Sequence, residues 1–331
     1  MQIVRRVVAQ IAANILSGLT GVSNLVEPQG RLTLTTAVPV LTATVSAAAT
    51  VYYTPYVGNA IPIYDGSTWK VYNFAELSNV LANAATGNAG PAAAVASKNY
   101  DLFVWDNAGT RTLTRGAAWN SDTARSATTE NDLQRVNGVL TNLNAITNGP
   151  GVGLGTYVGT VRTDAGGATV TYDLGSSASG GGLASFGLWN AYNQVEQTTT
   201  VVDSGVNYTY SSATLRAARG SNTYRANLIA GLNVNNVQAS SFALISTAAT
   251  SGAFTRTYIG LDTITAQTGQ VIGQVYTNAA VVLSAAVAAS YKGLPGLGFH
   301  YLSGNESGDG SNTNTVNTGT LGSTLNVTWK W

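Results

Sequence analysis

Short alternations of polar and apolar residues, separated by residues that favour turns, run through most of this chain. The segment 31–35 reads Arg-Leu-Thr-Leu-Thr, which has the period of a strand with one buried face. Two pairs of segments, 61–64 with 69–72 and 100–105 with 110–114, flank Asp-Gly-Ser and Asp-Asn-Ala-Gly sequences. Because glycine and asparagine tolerate the positive φ angles of tight turns, each pair predicts a β-hairpin.

Three segments of the first half need a separate interpretation. Residues 74–81 predict a short helix, and the alanine- and glycine-rich residues 84–96 predict a loop. Between 130 and 146, leucine and valine recur at coiled-coil spacing, but Asn137-Gly138 in the same stretch is a strong hairpin signal. Two heptads are too few to hold a coiled coil, so we predict the hairpin.

A second series of strands follows the Gly-Pro-Gly sequence at 149–151. The segments 156–162 with 168–174, and 198–202 with 206–210, predict strand–turn–strand units. Further strands are predicted at 224–230, 241–246, 254–259 and 269–276, and residues 279–291 predict a buried strand pair or one long strand. Residues 325–331 alternate strictly and place Trp329 and Trp331 on one face, which predicts a strand that closes the last β domain.

The predicted fold class is all-β, with tandem small β-sandwich or barrel domains that follow a short N-terminal amphipathic helix. The predicted organisation is a helical anchor segment over 1–27, a first β domain over 28–118, a connector with a hairpin over 119–150, and one or more C-terminal β domains over 151–331.

The N-terminal segment is the one clear helical pattern. Gln10 and Asn14 interrupt its apolar run and no small-residue cleavage site follows, so a signal peptide is not predicted. Its apolar side chains form one helical stripe: Ile3, Val7, Ile11, Ile15 and Leu19. This stripe either packs on its own domain, or anchors the chain in a neighbouring protein or in a trimer seam.

Composition restricts the possible chemistry. With no cysteine and a single histidine, His300, the chain has no thiolate or histidine cluster for a metal and no second histidine for a catalytic triad. The carboxylate pairs Glu306 with Asp309, and Glu130 with Asp132, could serve a glycosidase, but polar loops are the simpler interpretation. We therefore predict no enzymatic activity and no cofactor.

Charge is the most unusual property of the chain. Only 9% of its 331 residues are charged, against about 25% in an average soluble domain, and the formal net charge is +1. This balance leaves no basic stripe for nucleic acid. Since interfaces between permanent partners are depleted in charge, the composition indicates a subunit of an assembly.

Segments in a fixed order resemble a module of structural proteins from tailed bacteriophages and their prophages, described as tail-fibre or head-fibre proteins. The resembling segments are 31–34, 52–59, 64–69, 100–103, 119–125, 137–139, 157–163, 188–193, 208–210 and, more weakly, 298–302. The resemblance implies a β-rich, trimeric virion component, and it brings no catalytic residues. The N-terminal helix lies outside it.

The sequence thus predicts a non-enzymatic virion subunit, either a fibre, a spike or a head decoration. Its expected partners are two further copies of itself, other capsid or tail proteins, and a host-surface glycan or protein, with no nucleic acid and no membrane. The expected assembly residues are the N-terminal stripe together with Trp329 and Trp331. One alternative is an outer-membrane β-barrel, suggested by the alternating, tryptophan-ended last strand; a polysaccharide-degrading glycosidase is the weaker alternative.

Overall fold

Strand pairing accounts for nearly all the regular structure of the chain. The computed structural model describes residues 26–126, 130–318 and 322–331. Within these ranges the all-β prediction is confirmed, and the helical turns are the short 3-10 segments Thr86–Asn88 and Ala218–Gly220. The predicted N-terminal helix, with Ile3, Val7, Ile11, Ile15 and Leu19, lies outside the described residues.

The strands are numbered in chain order. The first group is β1 (Gly30–Thr33), β2 (Val45–Ala48), β3 (Thr50–Pro55), β4 (Ala60–Tyr64), β5 (Trp69–Asn73), β6 (Leu77–Val80), β7 (Asn99–Asn107), β8 (Thr110–Arg115), β9 (Leu133–Val136) and β10 (Val139–Asn142). The second group is β11 (Thr156–Arg162), β12 (Val170–Asp173), β13 (Ser177–Ala178), β14 (Ala184–Phe186), β15 (Leu188–Asn190), β16 (Glu196–Asp203), β17 (Tyr208–Tyr210), β18 (Arg216–Ala217), β19 (Arg225–Ala230), β20 (Val237–Ser246), β21 (Phe254–Leu261), β22 (Gly273–Tyr276), β23 (Ser284–Gly293), β24 (Gly298–Ser307), β25 (Asn314–Asn317) and β26 (Ser323–Lys330).

The strands pair into several sheets, of which two are large. The eight-stranded sheet has the order β2-β12-β14-β19-β24-β21-β22, with β18 beside β24. The seven-stranded sheet has the order β13-β16-β26-β20-β25-β17, with β23 beside β20. A six-stranded sheet (β8-β7-β11-β10-β9, with β15 beside β11), a three-stranded sheet (β1-β3-β6) and the β4-β5 hairpin complete the described structure.

One apolar core joins strands that are far apart in the chain. Buried side chains from Leu32 in β1 to Trp331, one residue beyond β26, belong to a single contiguous cluster. Strand β2 pairs with β12, so the N-terminal part of the chain supplies an edge strand to the eight-stranded sheet. The predicted domain boundaries stay predictions, and the predicted ranges 28–118 and 151–331 share this core.

The three predicted hairpins are confirmed. Strand β4 pairs with β5, β7 with β8, and β9 with β10, each through the predicted turn. At the β9–β10 turn, Asn137 has φ +48° and Gly138 has φ +93°, which are the left-handed angles that this dipeptide favours. The coiled-coil alternative for this stretch is wrong.

Two predictions for the first half are wrong because tertiary contacts override the local pattern. The segment 74–81 contains no helix; instead, β6 pairs with β3 and the buried side chain of Asn79 donates to the carbonyls of Ala89 and Leu113 at 2.7 and 3.0 Å. Strand β1 exists, but all four of its residues are buried, so it is not the half-buried strand that alternation predicts.

The strand–turn–strand units beyond residue 151 form strands but not hairpins. Strand β11 pairs with β7, β10 and β15, whereas β12 pairs with β2 and β14. The connection crosses between sheets and is held by Asp164, whose carboxylate accepts from Thr169 and Thr171 at 2.8 and 2.9 Å. Likewise β16 pairs with β26, and β17 with β25.

Two predictions for the C-terminal strands have different outcomes. Residues 279–291 hold one strand, β23, that begins only at Ser284, and the exposed residues 279–283 before it contradict the buried strand pair. The predicted last strand is confirmed as β26, which lies inside the seven-stranded sheet between β16 and β20. Trp329 and Trp331 are 1% and 0% exposed.

Buried arginines bind backbone carbonyls inside the fold. The Arg31 guanidinium donates to the carbonyls of Pro39 at 2.9 Å, Trp331 at 3.2 Å and Asn193. Arg115 donates to the side-chain oxygen of Asn79 at 2.8 Å, to the Val80 carbonyl at the end of β6, and to carbonyls of the loop that follows. Burial lowers the pKa of each guanidinium to about 10.

The buried carboxylate of Asp101 is the centre of a second polar network. It forms two hydrogen bonds with Arg125, at 2.6 and 2.8 Å, and accepts from Trp119 Nε1 at 3.1 Å and Thr160 Oγ1 at 2.6 Å. Arg125 also donates to the Gly231 carbonyl at 2.8 Å. The network therefore connects the six-stranded sheet to the segment that follows β19.

The first prediction concerns the two faces of β26. Trp329→Ala should lower the free energy of unfolding by about 3–5 kcal/mol, because it opens a cavity in the core. Lys330→Ala, at the exposed neighbouring position, should change it by no more than about 0.5 kcal/mol. Urea denaturation of both variants measures the difference, and equal stabilities would contradict the burial of Trp329 in the core.

The second prediction concerns alkaline pH. Five tyrosine side chains have a phenol pKa that burial raises well above the ordinary value. They are Tyr53, Tyr157, Tyr172, Tyr208 and Tyr224. Above about pH 10 the unfolded chain loses these protons while the folded chain keeps them, so stability falls as pH rises. The lowered pKa values of Arg31 and Arg115 act in the opposite direction but involve fewer groups.

Chemical denaturation at increasing pH, followed together with tyrosinate absorbance, tests this balance. We expect the buried phenols to ionise in one cooperative step with the loss of native circular dichroism. Ionisation of all 16 tyrosines near the ordinary pKa with the fold intact would be the opposite result.

Candidate functional site

A large cleft lies on the outer face of the eight-stranded sheet. It has a volume of about 420 Å³ and is open to solvent. Strands β12, β14, β19 and β24 form its floor, and the end of β11 with the following loop forms a wall. We call it the outer-face cleft. Its polar and aromatic lining side chains include Arg162, Asp164, Thr171, Ser185, Arg225, Asn227 and Phe299.

Strand alternation places the polar side chains of the floor. In β19, Ala226 and Leu228 are in the core, so Arg225 and Asn227 lie on the opposite, outer face. Asn227 is directly opposite Ser185 in β14 and Tyr301 in β24. A row of neutral hydrogen-bonding groups therefore crosses three neighbouring strands.

The wall of the cleft carries charges that are already paired. Arg162 donates to Asp122 at 2.8 Å and to Asn99 at 2.9 Å, and its guanidinium lies 3.8 Å from the centre of the Phe299 ring. The carboxylate of Asp164 accepts from Thr169 and Thr171. These contacts hold the wall in place and leave it with little net charge.

Arg225 and Asn227 differ from these wall residues because they have polar atoms without partners. Within the described part of the chain, Arg225 forms no ion pair, its Nε atom is buried without a hydrogen bond, and its guanidinium lies 4.9 Å from the centre of the Tyr301 ring. The amide oxygen of Asn227 is also buried without a partner. Buried polar atoms normally have partners, so these two mark a place where a ligand could supply them.

The free groups of the cleft are of the kinds that bind polar ligands. The free groups are a guanidinium, an amide and the Ser185 hydroxyl, beside two aromatic rings. Guanidinium groups bind carboxylates through paired N–H donors, and amides and hydroxyls bind other hydroxyls. Among the described residues, no group of three or more His, Cys, Asp or Glu side chains could hold a metal ion.

The predicted assembly residues lie elsewhere. The stripe of Ile3, Val7, Ile11, Ile15 and Leu19 lies outside the described residues. Trp329 is buried in the core, and Trp331 packs 4.9 Å from the Tyr172 ring and 4.5 Å below the Arg31 guanidinium. Both tryptophans thus contact their own chain, and a role in assembly stays a prediction.

The residues considered for catalysis have structural hydrogen bonds. His300 is 5% exposed, with Nδ1 2.7 Å from Asp262 and Nε2 3.2 Å from the Leu297 carbonyl, as a structural histidine is expected to be. Glu306 accepts from Tyr208 at 2.6 Å, and Arg216 lies 2.8 Å from it.

The two carboxylate pairs considered for a glycosidase are engaged in the same way. Asp309 accepts from the backbone N–H groups of Phe254, Ser311 and Asn312 at 2.7–3.0 Å. In the other pair, Glu130 accepts from Thr147 at 2.7 Å, and Asp132 accepts from the Leu133 N–H at 2.8 Å.

The outer-face cleft is absent from the sequence predictions. Its signal is weak: Arg225-Ala226-Asn227-Leu228 alternates polar and apolar residues within a predicted strand. Arg31 and Arg115 occupy strands of similar pattern and are buried, so the pattern does not distinguish a free arginine from a structural one.

Comparison with known proteins does not assign the chain to a family. No family model matches the chain, and no significantly similar curated protein was found.

None of the helices in the described ranges has the length and apolar character needed to cross a membrane.

Proposed function

We propose that this chain is a non-enzymatic structural subunit of a tailed-phage virion, acting as a fibre, spike or head decoration. It assembles as a homotrimer, attaches to capsid or tail proteins, and takes part in adsorption to a host-surface glycan or protein. The ordered resemblance to phage fibre modules and the all-β fold support this proposal. In this proposal, the tandem β-sandwich or barrel domains form a rigid unit on the particle surface, attached to capsid or tail proteins.

The observation that carries the assembly part is an exposed apolar patch without charge. Its members lie in β20, in β22 or in the segments before β22 and β23, and they are between 42% and 60% exposed: Phe242, Val271, Ile272, Tyr276, Val281, Val282 and Leu283. We call this the edge patch. The whole segment 263–291 contains no Asp, Glu, Lys or Arg. An exposed apolar segment without charge is typical of an interface between protein chains.

Contacts with β23 hold the members of the edge patch near one another. Val271 exchanges backbone hydrogen bonds with Ser290 at 3.3 and 3.2 Å, and Phe242 lies opposite Ala288 in the pairing of β20 with β23. The N–H of Leu283 donates to Thr247 at 3.0 Å. The patch is therefore attached to the edge of both large sheets, where a second copy of the chain could cover it.

The third prediction tests this assembly. Native mass spectrometry and light scattering of the full chain should give a trimer. The triple variant Val271→Asp/Val281→Asp/Val282→Asp should give a monomer that keeps its circular dichroism spectrum, because three carboxylates cannot be buried in an apolar interface without partners.

A matched control adds the same charges at other exposed valines. Val57→Asp/Val152→Asp/Val206→Asp, at positions 63%, 60% and 79% exposed, should remain trimeric. A monomeric wild-type chain at micromolar concentration, or a control that dissociates as readily as the patch variant, would argue against self-assembly through this surface.

The fourth prediction concerns the virion. Particles from a phage or prophage that encodes this chain should contain it after density-gradient purification, as detected by mass spectrometry. Deletion of residues 1–27, the predicted anchor, should yield soluble β-rich protein that is absent from particles. Normal incorporation of that deletion would reject the anchor, and absence of the full chain from particles would reject the virion proposal.

A further inference from the structure

We propose that the outer-face cleft binds a carboxylate-bearing sugar residue of an acidic saccharide, with Arg225 holding the carboxylate. This inference rests on the cleft alone and stands apart from the virion proposal.

Among the described residues, Arg225 differs from the other arginines in its lack of a hydrogen-bond acceptor. Every other arginine of the described ranges donates to a carboxylate, a carbonyl or a side-chain amide: Arg31, Arg111, Arg115, Arg125, Arg135, Arg162, Arg216, Arg219 and Arg256. Arg225 has no such acceptor in these ranges, and its guanidinium lies 4.9 Å from the centre of the Tyr301 ring. A guanidinium carries five N–H donors in a planar fork that matches a carboxylate, so Arg225 is the group in the cleft that lacks its partner.

The neutral groups beside Arg225 favour a ligand rich in hydroxyls. Asn227 lies two residues along β19 on the same face, with a buried amide oxygen that needs a donor. Ser185 lies directly across from it on β14. A sugar ring next to its own carboxylate presents hydroxyls that donate to the amide oxygen of Asn227 and accept from its N–H groups or from Ser185.

The charges that line the cleft favour a ligand with a single negative charge beside Arg225. Arg162 is paired with Asp122, and Asp164 adds a carboxylate to the wall, so Arg225 is the one unpaired cation among the described lining residues. The whole chain has a formal net charge of +1. A nucleic acid or polyphosphate would need several cations, whereas one carboxylate needs only Arg225.

The experiment is a titration of the full chain with two probe pairs, each pair differing in the carboxylate. The acidic probes are oligogalacturonate and sialyllactose, and the neutral counterparts are oligogalactose and the methyl ester of sialyllactose. We expect at least one acidic probe to bind with an affinity that falls as salt rises, while its neutral counterpart binds about ten-fold more weakly or not at all.

Three variants assign the binding to the cleft. Arg225→Gln should lower the affinity about ten-fold or more, and Asn227→Asp, which is nearly isosteric, should abolish binding by placing a carboxylate beside that of the ligand. Arg256→Gln is the matched control, because Arg256 is a partly exposed strand arginine that contacts Gln274 and Phe254 away from the cleft. It should bind as the wild type does. Thermal melting confirms that each variant is folded.

Several results would overturn the inference. These are failure of both acidic probes to bind, equal binding of the neutral counterparts, unchanged affinity in folded Arg225→Gln, or binding of inorganic phosphate in place of the saccharides. None of these outcomes changes the oligomeric state or the particle content that test the proposed virion function, so the two failures are distinguishable.

Discussion

The hydrogen bonds of the buried Arg31 guanidinium connect the start, the middle and the end of the described chain. Arg31 lies in β1 and reaches the carbonyl of Asn193 after β15 and that of Trp331, 300 residues away in sequence. The Trp331 ring below the guanidinium adds a cation–π contact and packs against Tyr172 of β12. Without this residue the carbonyls of Pro39 and Asn193 would lose the donor described above, whereas the Trp331 carbonyl would keep its hydrogen bond from the Val195 N–H at 3.1 Å.

Other buried or partly buried arginines also bind acceptors inside the fold, although the chain has few charges. Arg115 satisfies the carbonyls of a long loop, Arg125 pairs with the buried Asp101, and Arg219 pairs with Asp203 at 2.7 Å. Many of the few ionisable groups are therefore committed inside the fold, which leaves threonine, serine and asparagine to cover the outside. On the outer face of the seven-stranded sheet, for example, Thr198 pairs with Thr328 and Thr200 with Asn326, each at 2.8 Å. This distribution explains why Arg225, exposed to a cleft and unpaired, differs from the other arginines.

How much could be predicted depends on whether the determining contacts are local. The hairpin at Asn137-Gly138 follows from its own turn residues, so the sequence is sufficient there. The partners of β11, β12 and β16 lie in other parts of the chain, and alternation alone does not identify them. The helix predicted at 74–81 fails because Asn79 has buried acceptors that only the folded chain brings near. The lack of an ion pair at Arg225 likewise depends on the surrounding sheet, because the fold places no carboxylate of the described residues within reach of its guanidinium.

The position of β26 has a consequence for the order in which this protein folds. Strands β16 and β20 do not pair with each other; each pairs with β26, which lies between them. The seven-stranded sheet therefore cannot close until residues 323–330 have been synthesised, and the emerging chain displays two open strand edges until then. Pairings across such long sequence separations form slowly, and open edges bind other strands. Aggregation during synthesis is thus a competing process, and a chaperone that covers those edges would increase the yield of folded protein.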